Sequence, residues 1–450
     1  MQNNHNTIGI RREDLNKRGE RRVAIPPQYV SAIQELGTRI QIQPGINPNT
    51  LEPKRAFLDA AYEAQGAIVS EDLSDSDFIF GLKEVKTDFL LPNKAYAFFS
   101  HTHKGQEKNR GMLSRMVQQK NTLIDYELIT DEKGQRIITA FTYMAGYAGM
   151  IDSLWALGQR LDQQGIKSPW LEISQSIDFN NLSTAKRKVQ EVGSKIGEYP
   201  LPSHPLICTF LGNGRTSQGA QEIWDLLPSE EIPLKDLTRV FEGGDRSKVY
   251  KLVTDIPELF RLREGVPMHK DTLSRDEYIG LYLGEPQYFE SNLDQILPYS
   301  TLLMNCILWS PKYPRMLSRD QAAQWFSPRA PLTVIGDITC DPEGSIEFSQ
   351  ETWIDKPVFV YDPQGRVSTP GFEGPGIAVM AVTNLPCEFS ADSSLRFGQD
   401  LEPYLLDWVQ ADFSADNPEA AGLPAPIQRA VILWKGRFMK DYQYMEGFVS

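Results

Sequence analysis

The stretch Leu206-Ile-Cys-Thr-Phe-Leu-Gly212-Asn-Gly214-Arg-Thr-Ser217-Gln-Gly219-Ala220 decides how this chain is read. Its apolar opening is a strand, its Gly-x-Gly a turn, and Ala220, Ile223, Trp224 and Leu227 then recur at helical spacing. Gly212 permits a tight turn, and Gly214 lets the backbone approach a pyrophosphate. The start of the helix adds amide donors and the positive end of a dipole. Ser217 fills the place of the usual third glycine, and Gly219 follows two residues later. Glycine pairs also mark plain turns, so it is the strand–turn–helix context that points to a dinucleotide. The ribose reader is less defined. Glu230 and Glu231 lie near the expected distance, but no clean second strand ends on them. Arg246 and Lys248 would suit a 2′-phosphate, although a solvated charged loop is their plainer reading.

On either side of this stretch, short apolar runs alternate with amphipathic helices. Strands are expected at Thr7–Ile10, Arg39–Ile42, Phe78–Leu82, Tyr96–Ser100 and Thr122–Tyr126, with helices between them. From Ala145 a long helix rich in glycine and alanine allows close backbone approach and suits a connection between domains. Later strands are expected at Leu302–Trp309, Leu332–Ile338, Val358–Tyr361 and Ile377–Val382, followed by a helix with Phe397, Leu401, Tyr404, Leu405 and Trp408 on one face. This alternation means mainly parallel sheets in an α/β fold. At 450 residues the chain is too long for one core, so two domains are expected.

Composition narrows the function. A net charge of −13, with no long basic tract, disfavours nucleic acid as a partner. No apolar run reaches the roughly 18–20 residues of a membrane span. Residues 1–6 carry neither a signal core nor an Arg-rich transit pattern, which points to the cytoplasm. Cys208, Cys306, Cys340 and Cys387 are scattered and read as reduced thiols. His101 and His103 form an H-x-H pair without a third ligand at a familiar spacing, so no metal is expected.

Four groups of residues could carry chemistry. Arg11-Arg12-Glu13-Asp14 and Glu20-Arg21-Arg22 follow the first strand, where an arginine fork could clamp a carboxylate. Gly81-Leu82-Lys83-Glu84 and Ser100-His101-Thr102-His103-Lys104 end two further strands, bringing a lysine and a histidine toward one cleft as proton-exchanging groups. Asp337 and Asp341 follow a strand beyond the glycine turn, toward the nicotinamide end of a dinucleotide. An Asx-type turn is the plainer reading of Asp341-Pro342.

These stretches resemble the lysine-ketoglutarate reductase (saccharopine-forming) part of the aminoadipic semialdehyde synthase family. The matching text is IGIRRED (8–14), FFSHTHKGQE (98–107), LIDYELI (123–129), AGYAGMI (145–151), Pro298-Tyr299 with Asn305 and Trp309, GSIEF (344–348) and Asn384-Leu385-Pro386. More distantly the layout is similar to lysine-forming saccharopine dehydrogenase and alanine dehydrogenase. The resemblance implies two Rossmann-like domains with a catalytic cleft between them. The first would comprise residues 1–144 and 347–450, the second residues 145–346. It implies NADPH-dependent condensation of L-lysine with 2-oxoglutarate to saccharopine, with NADH possible. Carried over by position, Lys83 and His101 would be the acid–base pair, and Arg22 would bind a substrate carboxylate. Lys104 and Glu127 would line the cleft with Arg136, across one extra residue before Phe141. Gly212, Gly214, Ser217 and Gly219 would meet the pyrophosphate, and Asp337, Asp341 and Asn384 would sit toward the nicotinamide. The alternatives are a relative with another amine or keto acid, and a catalytically silent nucleotide-binding regulator. Oligomeric state is left open.

Overall fold

A computed structural model describes residues 6–327 and 330–449. Residues 1–5, which hold most of the stretch inspected for a leader, lie outside the described residues. The chain divides into two compact units: residues up to Ala140 together with those from Ser390 onward, and Phe141–Phe389.

Unit 1 opens with six strands: β1 (Thr7–Ile10), β2 (Arg39–Ile42), β3 (Ile68–Val69), β4 (Phe78–Phe80), β5 (Ala95–Phe98) and β6 (Thr122–Asp125). They are mutually parallel and lie in the order β3-β2-β1-β4-β5-β6. Strand order therefore reverses between β1 and β4, and ligands bind beyond the carboxyl ends of such a switch point. β1, β4, β5 and β6 are buried along their whole length, as parallel strands covered on both faces should be.

The chain enters unit 2 in the first turn of the helix Ala140–Gln163. Its glycines are used for contact. A methyl group on Gly146 would stand 2.2 Å from the Thr216 carbonyl oxygen, and one on Gly219 would stand 2.5 Å from that of Tyr143. The two helices thus cross backbone against backbone, which any side chain at either position would prevent. The sheet of unit 2 is built from β7 (Leu206–Leu211), β8 (Ser229–Glu231), β9 (Val249–Thr254), β12 (Leu302–Asn305), β13 (Val334–Asp337), β14 (Val358–Asp362), β15 (Val367–Pro370) and β16 (Ile377–Met380). Between β9 and β12 the chain forms an antiparallel ribbon, β10 (Phe260–Leu262) with β11 (Phe289–Ser291). The strand order is β15-β14-β16-β13-β12-β7-β9-β8, with β14 antiparallel to both its neighbours. Phe210, Trp224, Met304 and Val360 pack on one face, and Leu211, Leu252, Leu303 and Val379 on the other.

Two expectations change. Residues 347–389 belong to unit 2 and do not return to the first domain: β16 pairs with β13 from Val334↔Ala378 and β14 pairs with β16, so both apolar strands complete the second sheet. The strand expected over Leu302–Trp309 stops at Asn305, and Leu308 beyond it is 86% exposed.

The return to unit 1 starts with the helix Ser390–Val409, which buries Phe397, Leu401, Leu405 and Trp408. Trp408 packs on Phe78 and Phe80 at 5.4 and 5.3 Å. β17 (Val431–Trp434) then lies antiparallel to β6, and β18 (Arg437–Phe438) closes that edge.

Candidate active site

At the switch point of unit 1, Glu13 lies just past β1 and accepts from the backbone amides of Leu82 (2.7 Å) and Lys83 (3.0 Å) at the end of β4. Arg11 donates to Glu13 at 3.2 Å and to Asp14 at 2.6 Å. Burial pushes the Glu13 carboxyl above its ordinary range, with Arg11 pulling the other way. The expected arginine fork is thus already matched within the protein. Arg12 pairs with Glu71 at 2.7 Å and donates to the Pro44 carbonyl at 2.9 Å. Arg22 is buried and meets Glu20 through Nε at 2.9 Å and Nη2 at 2.6 Å.

Beside the half-buried Lys83, Glu84 accepts from Lys17 Nζ at 2.9 Å and lies 2.8 Å from His101 Nδ1. Burial opposes charge on Glu84. The hydrogen bond with His101 and the Lys17 ammonium nevertheless hold its carboxyl well below the usual range. An ionised carboxylate only accepts, so Nδ1 must carry the hydrogen. Nε2 is then the ring nitrogen left for proton exchange. His101 holds this place from the left-handed region, at φ +52°, a conformation that costs a non-glycine residue free energy and recurs at functional sites.

At the end of β6, Asp125 accepts from the Ser100 amide at 3.1 Å and the Glu127 amide at 2.8 Å. It thereby ties the ends of β5 and β6 together. Glu127 Oε1 receives Lys104 Nζ at 2.7 Å and also Arg136 Nη2. His103 Nε2 stands 3.8 Å from the other oxygen, Oε2, which is buried and has no hydrogen-bond partner among the described residues. Burial raises the Glu127 carboxyl, yet Lys104, Arg136 and His103 together bring it below the ordinary range. Lys83, His101, Lys104, Glu127 and Arg136 thus all lie beyond the carboxyl ends of β4, β5 and β6. Glu13, Glu84, Lys17 and Asp125 hold them; Glu13 and Glu84 stood in the charged groups without a role of their own, and Lys17 and Asp125 were not singled out from the sequence. The signal for the three acids was a carboxylate placed one to four residues after, or at the end of, an apolar run.

In unit 2, Gly212 sits at φ +89°, and Gly214 begins the helix Arg215–Trp224 without a side-chain cap. A methyl group on Gly214 would meet nothing within 4 Å. Open space before uncapped amides fits a pyrophosphate. Other expected contacts are turned inward. Ser217 is buried, and its hydroxyl accepts from Gln221 Nε2 at 3.0 Å. Gly219 serves the helix crossing. Asp337 accepts from Asn305 Nδ2 at 2.7 Å, from the Cys340 amide at 3.2 Å and from Ser349 Oγ, so it ties β12 to β13. It is the backbone of the first helical turn that this end of the sheet offers a phosphate. Asp341 is exposed in a turn closed by the Gly344 amide at 2.9 Å, and Asn384 precedes the short helix Leu385–Cys387. Unit 2 also buries two carboxyls, Asp152 and Glu388, without an ion-pair partner among the described residues. Each accepts one amide, from Ser176 at 2.7 Å and Ile177 at 3.2 Å. Burial raises both, Asp152 to about 6.

Among the described residues no three His, Cys, Asp or Glu side chains gather to hold a metal, and no helix is long and apolar enough to cross a membrane.

Residues 9–148 match the alanine dehydrogenase/PNT N-terminal domain. The fold is similar to an L-alanine dehydrogenase structure, with TM-score 0.61 and 16% identity over 99% of this chain and 100% of that one. A transhydrogenase from Sinorhizobium meliloti gives TM-score 0.55 and 13% identity over 96% and 100%. The fold is thus that of the two-domain L-alanine dehydrogenase type. In sequence the chain is similar to the alpha-aminoadipic semialdehyde synthases. It is 35% identical to that of Arabidopsis thaliana over 97% of this chain and 41% of that protein. It is 35% identical to the mitochondrial protein of Bos taurus over 98% and 47%. The chain therefore spans less than half the length of these relatives. It is also 24% identical to the saccharopine dehydrogenase [NAD(+), L-lysine-forming] of Emericella nidulans, over 93% of this chain and 98% of that one.

Proposed function

We propose that the chain catalyses the reductive condensation of L-lysine with 2-oxoglutarate to saccharopine, using a reduced nicotinamide dinucleotide, for which the resemblance implies NADPH. The observation that carries this reading is the convergence beyond β4–β6 of a lysine, a carboxylate-held histidine and two cations sharing one glutamate. Lys83 is fixed through its amide by Glu13, and His101 through Nδ1 by Glu84. These two are the acid–base pair. One takes the proton released as the lysine ε-amine attacks the keto carbon, and the other protonates the departing hydroxyl so that water leaves. The dinucleotide, when bound, supplies the hydride that reduces the resulting imine. Lys104 and Arg136 provide the positive charge that a dicarboxylate substrate needs, with Glu127 setting them in place, and Arg22, which would have to turn from Glu20 to meet a carboxylate, is the further candidate. Asp341 and Asn384 line the nicotinamide end. Four free thiols suit a reducing compartment such as the cytoplasm.

The test is to follow loss of reduced nicotinamide absorbance with L-lysine and 2-oxoglutarate, omitting each in turn, and to identify saccharopine by mass. Oxidation requiring both substrates is expected. Dinucleotide binding without turnover would overturn the substrate assignment, and a panel of other amines and keto acids would then separate a related reductive aminase from a silent binder.

A further inference from the structure

The sheet of unit 2 departs from the order in which its strands are made. The strand beside β7 is β9, and β8 lies outside it at the edge. The register runs from Leu206↔Val249 to Leu211↔Thr254, and the Gly212 amide then donates to the Thr254 carbonyl at 3.0 Å. The next residue, Asp255, therefore emerges beside the glycine turn, one strand spacing (about 4.8 Å) away. In dinucleotide-binding sheets an acid at this place takes the ribose hydroxyls, whereas a nearby arginine accommodates a 2′-phosphate.

The four residues considered from sequence lie elsewhere. Glu230 and Glu231 pair with Tyr250 and Lys251, in the first half of β9. Lys248 precedes β9, so six residues of strand put it about 20 Å from the turn at ~3.3 Å per residue. It lies 3.4 Å from Glu230, and Arg246 donates to the Pro202 carbonyl at 2.7 Å.

Around Asp255 the charges favour a hydroxyl over a phosphate. Its Oδ1 accepts from the Ile256 amide at 2.8 Å and its Oδ2 pairs with Arg275 at 2.5 Å. Glu258 closes the same cap by accepting from the Asp255 amide at 3.0 Å, and lies 4.0 Å from Arg275. Arg275 is thus shared by two carboxylates. The other local cation, Lys270, donates to the Pro257 carbonyl and lies 5.5 Å over the Tyr278 ring. A carboxylate oxygen with one donor keeps a lone pair for a ribose hydroxyl, while a 2′-phosphate would meet like charge.

Resting on the reading that unit 2 binds a dinucleotide, we infer that Asp255 is its ribose-reading residue and that this chain prefers NADH to NADPH. The test is calorimetric titration of the full chain with each reduced dinucleotide separately, without substrates. NADH should bind about tenfold tighter or more, the worth of a hydrogen bond to a charged acceptor. Asp255→Asn and Asp255→Ser both keep a good N-cap while removing the charge, and should bring the two affinities within about threefold. Arg275→Gln should leave NADH affinity in place. Tighter NADPH binding by the wild type, or an unchanged ratio in both Asp255 variants with intact melting temperature, overturns the inference alone. Binding of neither dinucleotide overturns the nucleotide reading as well.

Discussion

In unit 1 the strand beside β1 is β2, the next in the chain, whereas in unit 2 the strand beside β7 is β9, with β8 displaced to the edge. Otherwise the sheets match: each has six parallel strands and a two-stranded antiparallel edge. The difference decides what can be found by counting. In unit 1 the residues after successive strands lie side by side in space, so Lys83, His101 and Glu127 fall into one site. In unit 2 the same counting leads from β7 to β8 and away from the turn. Electrostatics differ as well. Carboxylates at the strand ends of unit 1 have cations or paired amides, but Asp152 and Glu388 in unit 2 have one amide each and no cation among the described residues.

The comparison can be broken most severely at Lys83. Lys83→Met should lower turnover about 10³-fold or more while the dinucleotide Kd moves less than about twofold. A parallel loss of dinucleotide affinity in calorimetry would mean that the division of labour between the units is wrong. Glu13→Gln is next. It places an amide donor against the Leu82 and Lys83 amides, and should cut kcat about ten- to a hundredfold with KM little changed. The acidic limb of the kcat–pH profile should shift too, because Lys83 loses its placement; a fall in kcat with an unmoved profile would assign Glu13 to folding only.

Stability against pH should separate the units with opposite signs. The Glu84 carboxyl is depressed in the folded protein, so its contribution is present above the ordinary value of 4.5 and is lost as pH falls. Asp152 and Glu388 are raised, so their contribution is complete below 3.8 and 4.5 and is lost as pH rises through about 6 and beyond. Hydrogen-exchange protection of the helix Ala140–Gln163, corrected for intrinsic rates, should fall as pH rises through about 6 and beyond while that of β4 and β5 holds. Glu388→Gln should flatten the fall, and an unchanged slope would exclude the pair as its source. The smallest effect belongs to Lys248→Ala, which should change neither NADH nor NADPH affinity by more than about twofold, since the side chain lies at the far end of β9. A tenfold loss of NADPH affinity would return the ribose site to that end.

Periodicity and apolar runs made the strands of unit 1 and the glycine turn legible, because each depends on neighbours within a few residues. Site residues directly after an apolar run were legible for the same reason. Glu13 was not, because a buried acid that caps two distant amides looks in sequence like one more member of a charge run. The boundary at Ser390 was missed because Val358–Asp362 and Ile377–Met380 are apolar enough to join either sheet, and only long-range pairing chooses. The end of β12 was overrun because Ile307 and Leu308 are apolar but extend past the last paired residue.

The antiparallel strand β17 also sets an order of events during synthesis. Thr122 Oγ1, at the start of β6, accepts from the Lys435 amide across 313 residues of chain. At ~5–20 residues per second, β6 waits roughly 15–60 s on the ribosome before its partner is made. All of unit 2 is translated in that interval, time enough for it to fold first. The half-finished sheet of unit 1 meanwhile presents a bare row of amides and carbonyls along β6, the kind of edge that invites pairing with another nascent chain.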